Sequence, residues 1–148
     1  MVAEGSGSEW ADRAAAVLAA AGQRRGGARA AVIELLAAEH CALSAVEIED
    51  RLRRGSGRPV ARASVYRILE ELERAGCLTR VEVGQGLARF EADRGEHHHH
   101  HLVCDRCGAM EPFSDPALER AIDALAGRVD YAVERHDVVL HGRCPDCR

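Results

Sequence analysis

Cys104, Cys107, Cys144 and Cys147 stand in two Cys-x-x-Cys pairs. Each pair puts two thiolates on one tight turn, and two such turns complete a tetrahedron around Zn²⁺. A redox dithiol uses one pair beside a βαβ pattern and has no need of a second, so the spacing predicts a structural zinc. Directly before the first pair runs His97–His101, five consecutive histidines. A purification tag sits at a terminus, and this run is deep inside the chain. Leu102 and Val103, which suit a strand, follow it. If the histidines are extended too, alternate side chains point to opposite faces. His99 and His101 then face one way, and His98 and His100 the other. One strand could serve two metal sites while the thiols at its end feed a third. Glu91, Glu119 and His136 are further candidate ligands, with His40, Cys41 and Asp93 behind them. Imidazole and carboxylate together suit Zn²⁺, Fe²⁺ or Mn²⁺. Cys77 follows Gly76 and reads as a small buried hydrophobe.

The elements that must position these groups fall into two halves. Residues 1–9 are small and polar and are expected to be disordered. Helical spacing then places Trp10, Ala14, Val17, Leu18 and Ala21 on one side of a helix ended by Gly22. A second helix over Ala28–Ala38 buries Val32, Ile33, Leu35 and Leu36. Ser44 with Glu47 forms a capping box, so a third helix starts there and runs to about Arg53. The fourth helix follows the i, i+3, i+4, i+7 rule through Val65, Ile68, Leu69 and Leu72, with Gly76 as its C-terminal cap. Its other face shows Arg62, Tyr66 and Arg67. Two short strands, Leu78–Val83 and Leu87–Glu91, flank a Gly84-Gln85-Gly86 turn. Helices followed by a hairpin make a winged helix-turn-helix over residues 10–91.

Residues 92–96 read as a hinge, and 97–148 as a small α/β domain built on the four-cysteine zinc, for an α+β chain in all. Strands are expected over the histidine run, Met110–Phe113, Tyr131–His136 and Val138–His141. Asp115-Pro116 is an N-cap and N1 pair for a helix over Ala117–Ala126.

Composition narrows the classes. The chain has 148 residues, a net charge of -4 and a pI near 6.1, which argues against a wholly basic nucleic-acid binder. The charge is uneven: residues 1–90 hold 13 Arg against 12 acids, and 91–148 hold 7 against 12. All 20 basic side chains are Arg. Arg suits phosphate and guanine because its planar fork donates two parallel hydrogen bonds, although genome bias accounts equally well for an Arg- and Ala-rich chain. No apolar run spans a membrane and Met1 opens no secretory signal, so a cytoplasmic protein is expected. In that setting six cysteines read as metal ligands rather than disulfides.

The segments ARASVYRILEELERAG, GLARFE, HHHHHLVCDRCG and FSDPALE, with His136 separated by seven residues from the terminal Cys-x-x-Cys, resemble the ferric uptake regulator superfamily of metal-dependent repressors. The resemblance covers nearly everything from Trp10 on. It implies a winged-helix domain, a dimerisation domain, and metal-bound homodimers that repress promoters at AT-rich palindromic operators in double-stranded DNA. Carried over residue by residue, Cys104, Cys107, Cys144 and Cys147 match the structural zinc. His98, His100, Glu119 and His136 match a second metal site inside the dimerisation domain. Glu91, His99 and His101 match a sensing site at the hinge. Arg62, Ser64, Tyr66 and Arg67 lie on the recognition helix, where Tyr66 and Arg67 match base-contacting residues, and Arg24 matches a residue that reaches the minor groove.

Three positions depart from the pattern. Iron and peroxide sensors carry a histidine two residues before the Ser that caps the third helix; here that position is Ala42, with His40 and Cys41 upstream. Zinc sensors carry Asp where this chain has Thr79 and Cys where it has Glu91 or Asp93. The usual Thr before the second helix is a Gly. Glu91 with histidines favours Fe²⁺, whereas Cys41 as a ligand favours Zn²⁺. Iron sensing is therefore the expectation, zinc or peroxide sensing the alternatives, and Mn²⁺ a further candidate regulatory ion. A zinc-storage module would need no reading head. An enzyme is the remaining class, but no nucleophile elbow or phosphate loop appears; no catalytic role and no small-molecule substrate are expected.

Overall fold

The computed structural model describes residues 4–22, 26–55, 59–95 and 99–148, and only the backbone of residues 4–6. Two expected site residues, Arg24 and His98, lie outside the described residues. The chain divides into two compact units, Met1–Glu96 and His97–Arg148.

The first unit runs α1 (Glu4–Ala20), α2 (Gly27–Ala38), α3 (Ala45–Gly55), α4 (Arg62–Arg74), β1 (Leu78–Glu82) and β2 (Ala88–Ala92). Trp10, Ala14 and Leu18 of α1 pack with Val32, Ile33 and Leu36 of α2, Ile48 and Leu52 of α3, and Val65, Ile68, Leu69 and Leu72 of α4. Leu35, expected in that core, is only half-buried at its edge, and Ala21 is exposed. Leu78 and Phe90 carry the core onto the hairpin. Ser44 and Glu47 form the reciprocal box that starts α3: the Ser44 N–H donates to Glu47 Oε2 at 2.8 Å and the Glu47 N–H to Ser44 Oγ at 3.2 Å. Gly26, standing where the family pattern has Thr, caps α2 with no side-chain bond.

β1 and β2 pair antiparallel from Leu78 opposite Ala92 to Glu82 opposite Ala88. Gly84, Gln85 and Gly86 turn the hairpin with φ of 89°, 54° and 73°. Three successive left-handed residues explain why glycine brackets Gln85.

One expectation fails here. α1 begins at Glu4, so Glu4–Glu9 is helix rather than the disordered start. The cause is tertiary. Gly7 lies so close to the end of α2 that an added Cβ would sit 2.7 Å from the Ala37 carbonyl oxygen. A bare glycine permits that approach, and the packing outweighs the low helix propensity of Gly5, Ser6 and Gly7.

The second unit runs β3 (His100–Cys104), β4 (Met110–Phe113), α5 (Pro116–Ala126), β5 (Val139–Gly142) and a 3₁₀ turn at Pro145–Cys147. The sheet order is β4-β3-β5, with β4 antiparallel and β5 parallel to β3. Asp115 caps α5, its Oδ1 accepting from the N–H groups of Ala117 and Leu118 at 2.6 and 3.2 Å. The strand expected over Tyr131–His136 is absent, and the chain there is irregular until Val139. Its apolar alternation finds no cover, since Tyr131 is 83% and Val133 48% exposed.

This unit is poor in core. Among its described residues only His100, His101 and Cys104 are buried, and α5 buries none. A fully buried aliphatic side chain contributes about 1.5–3 kcal/mol, against about 1–2 kcal/mol of backbone entropy for each ordered residue. Among the described residues no helix is long and apolar enough to cross a membrane.

Candidate metal centres

β3 delivers Cys104 into a tight turn, where the Gly108 N–H donates to the Cys104 carbonyl at 2.8 Å. The second pair sits on the 3₁₀ turn, closed by the Cys147 N–H on the Cys144 carbonyl at 2.9 Å. Two contacts link the turns: the Asp105 N–H donates to the Gly142 carbonyl at 2.9 Å, and Asp105 Oδ1 lies 2.9 Å from His141 Nδ1. All four sulfurs lie within 4.8 Å of one another, with Cys107 and Cys144 at 3.7 Å. A tetrahedron with zinc–sulfur arms of about 2.3 Å has edges of about 3.8 Å. The donor set therefore fits Zn²⁺ in chemistry and in size.

The thiols are strongly differentiated. Backbone hydrogen bonds from Cys144 first, then Cys107, bring Cys104 down to about 6. The Cys144 side chain first, then burial, pushes Cys147 up to about 12. Cys144 is raised too; its contact with Cys147 pulls it down, but burial and the Cys107 and Cys104 thiols together outweigh that pull.

Four residues before Cys104, the same strand supplies His100, which is completely buried. Its Nε2 lies 2.7 Å from Glu119 Oε1, and Glu119 Oε2 lies 3.0 Å from His136 Nε2. The three donor atoms fall within 4.8 Å of one another. The Val138 N–H donates to His100 Nδ1 at 3.3 Å. That bond uses Nδ1 as an acceptor, which places the single proton of the neutral ring on Nε2, facing Glu119. Glu119 comes from the first turn of α5, which is why the Asp115 cap matters to the site. Imidazole and carboxylate oxygen suit Zn²⁺, Fe²⁺ or Mn²⁺.

His101, one residue along β3, is buried apart from His100, with its ring centroid 5.0 Å from that of His99. Glu91 belongs to the first unit, on β2, opposite Thr79 of β1. Leu43 and Phe90 form an antiparallel bridge; one residue further along that register, Ala42 falls against Glu91 and offers no donor. Cys41 is half-buried, and its thiol is pushed up by burial first and also by the Glu91 carboxylate. His40 and Asp93 are exposed. Cys77 is buried at 2% exposure, as its position after Gly76 suggested.

On α4, Tyr66 and Arg67 are exposed and Ser64 is half-buried. Arg62, at the first position of α4, is paired through Nε with Glu49 Oε2 of α3 at 2.6 Å. Arg29 of α2 grips Glu71 of α4 with both ends of its fork, at 3.0–3.1 Å. Sequence reasoning missed these ties, and it missed Arg89 and Arg94, which bond carbonyls of the loop after α2. Backbone acceptors have no residue type, so nothing in the sequence could have announced them.

Comparison with known proteins agrees with this arrangement. A 42% identical stretch of 86 residues relates 58% of the chain to 61% of the ferric uptake regulation protein of Bordetella parapertussis, so the match spans less than two thirds of that relative. The Helicobacter pylori ferric uptake regulator, described as having three functional metal binding sites, superposes with a TM-score of 0.80 at 25% identity over 95% of this chain and 93% of that one. The Vibrio cholerae ferric uptake regulator, described by a rearrangement of its DNA-binding domains, gives 0.76 at 32% identity over 86% and 96%. The ferric uptake regulator family itself matches residues 20–141, a span that runs from the last residue of α1 into β5, and the chain belongs to that family.

Proposed function

We propose that this chain is a homodimeric, cytoplasmic, metal-responsive transcriptional repressor, with Fe²⁺ as the sensed ion. The observation that carries the reading is the convergence of two donor sets on one strand: His100 with Glu119 and His136, and Cys104 with the other three cysteines. An exposed Tyr66-Arg67 pair on α4 of a winged helix supplies a reading head.

In this reading the four cysteines hold a structural zinc, and His100, Glu119 and His136, with His98, hold a second ion. Glu91, His99 and His101 form the sensing set, with Cys41, His40 and Asp93 as candidates for its remaining ligand. These donors are divided between the two units. A cation that needs all of them binds best to arrangements that satisfy all of them, so it shifts the population toward one DNA-competent shape. Protons compete for the histidines, and the response weakens in acid. On the DNA side, Tyr66 and Arg67 read bases in the major groove, Arg62 and Ser64 contact the backbone, and Arg24 reaches the minor groove. The bare apolar surface of the second unit supports a homodimer. Leu102 and Leu140 are neighbours in register on β3 and β5, are 42% and 49% exposed, and β5 is an edge strand.

Zinc sensing is the second reading. Cys41 lies close enough to Glu91 for the carboxylate to help burial push its thiol up, and a sulfur ligand in the sensing set would favour Zn²⁺ over Fe²⁺. Operator binding titrated separately with Fe²⁺, Mn²⁺ and Zn²⁺ decides between them. Half-maximal binding at a lower free concentration of Fe²⁺ than the Irving–Williams order allows against Zn²⁺ supports iron. A response to Zn²⁺ alone overturns it.

A further inference from the structure

Two arginines flank Glu91, Arg89 on β2 and Arg94 just beyond it, and they reach back to the end of α2 and the loop that follows it. Arg89 Nη1 lies 3.3 Å from the Ala42 carbonyl and 3.1 Å from Glu47 Oε2. Arg94 Nη2 lies 2.7 Å from the Glu39 carbonyl, 2.8 Å from that of Ala37 and 3.4 Å from that of Leu36. Between these clamps, Leu43 and Phe90 exchange both backbone hydrogen bonds, at 2.9 and 2.8 Å. The loop from Glu39 to Leu43, which carries His40 and Cys41, is thus fastened along its length to the strand that carries Glu91.

Arg94 does the larger share. The last carbonyls of α2 have no partner within the helix and lie at the negative end of its dipole. Ala37 is crowded from the other side by Gly7. A half-buried guanidinium on these acceptors is a charge-assisted contact. The segment beyond Glu91 is secured further: the Asp93 N–H donates to the Cys77 carbonyl at 2.9 Å, and Arg13 Nη2 donates to the Asp93 carbonyl at 2.6 Å. Asp93 and Arg94, in the segment after β2, are both tied to the winged-helix body. After β2 the first residue with a left-handed backbone is Gly95, with φ 68°.

We infer that Arg94 is a positioning residue of the metal switch: it locks the Glu39–Leu43 loop to the chain leaving β2, so that the winged-helix half of the sensing site is rigid before metal arrives. The inference rests on the proposed function. Rigidity here is what passes a ligation event to α4 instead of letting the loop or the strand end absorb it. Arg94 touches neither metal nor DNA in this account.

The test compares wild type, R94A, R94K and R13A in the full-length chain with its structural zinc retained. Operator affinity is measured by anisotropy on a labelled palindromic AT-rich duplex, with and without whichever of Fe²⁺, Zn²⁺ and Mn²⁺ activates the wild type. In R94A the metal-induced gain in affinity should fall about tenfold, within the usual range of such couplings, while metal-free affinity stays within about twofold. R94K, which keeps a cation able to reach one carbonyl, should recover part of the gain. R13A should lose less than R94A. An unchanged gain in R94A overturns the inference, as does an equal loss with and without metal, which marks a merely structural role. A wild type with no metal-induced gain overturns the proposed function itself and this inference with it. The wild-type arm therefore separates the two failures.

Discussion

His100 Nε2 and Glu119 Oε1 stand 2.7 Å apart, with the imidazole fully buried and the carboxylate on the first turn of α5. That contact joins the sheet to the helix in a unit with almost no other buried side chain. The pair ties the sheet to the helix, and in the proposed function the same two side chains are donors to the second metal. Glu119→Gln keeps the shape and removes the charge. It should weaken the second metal by at least the roughly 10–100-fold that loss of an outer-shell partner costs and leave one zinc per chain on the cysteines, as read by competition with a chelating dye. An unchanged second affinity would exclude Glu119 as a ligand.

Cys144→Ser leaves a three-thiolate site and forfeits metal-linked folding energy. Because the second unit has so little core, the expected outcome is loss of its ordered structure and of the dimer, seen by sedimentation and near-UV dichroism. A zinc-loaded, dimeric Cys144→Ser protein would contradict the assignment.

The thiol differences make a pH prediction. Cys104 is held at about 6 and Cys147 at about 12. At pH 7.5 Cys104 is already a thiolate before zinc arrives; at pH 5 it carries a proton that zinc must displace. Proton release on binding the first zinc should therefore rise by about one per chain from pH 7.5 to pH 5. Calorimetry in buffers of different ionisation enthalpy reads this number, and a constant or falling release would show that Cys104 is not the low thiol.

Much of the first unit was legible because its signals are local. The Ser44–Glu47 box, the α4 periodicity and the Gly-Gln-Gly turn each fix an element within a few residues. Glu4–Glu9 was not legible, because its helix depends on Gly7 meeting Ala37 far along the chain. Tyr131–His136 misled because apolar alternation describes a strand only where a neighbouring strand exists. The cysteine cluster could be read from residue type and spacing. Glu119 and His136 could not, since nothing local places a residue 19 positions after His100, and one 36 after it, against the same ring; only the family resemblance put them together. Arg89 and Arg94 were invisible for another reason, as their acceptors are carbonyls.

Arg67→Ala should lower specific operator affinity by about 1–3 kcal/mol and flatten preference at one base position, with metal binding and dimerisation intact. Arg67 is exposed next to Tyr66 on a helix whose opposite face is fully packed. Equal loss on specific and random duplexes would make Arg67 a phosphate contact instead.

In the proposed function, metal ligation and DNA binding are coupled through this chain. The direct measurement is operator affinity of the zinc-retaining wild type as the regulatory metal is added and then withdrawn with a chelator, run beside His101→Ala. Wild type should gain affinity by about 5–150-fold with metal, lose the gain on chelation, and regain it on re-addition, while His101→Ala stays at the metal-free level throughout. Operator binding that is tight and identical with and without metal, or a His101→Ala protein that responds like wild type, would contradict the account.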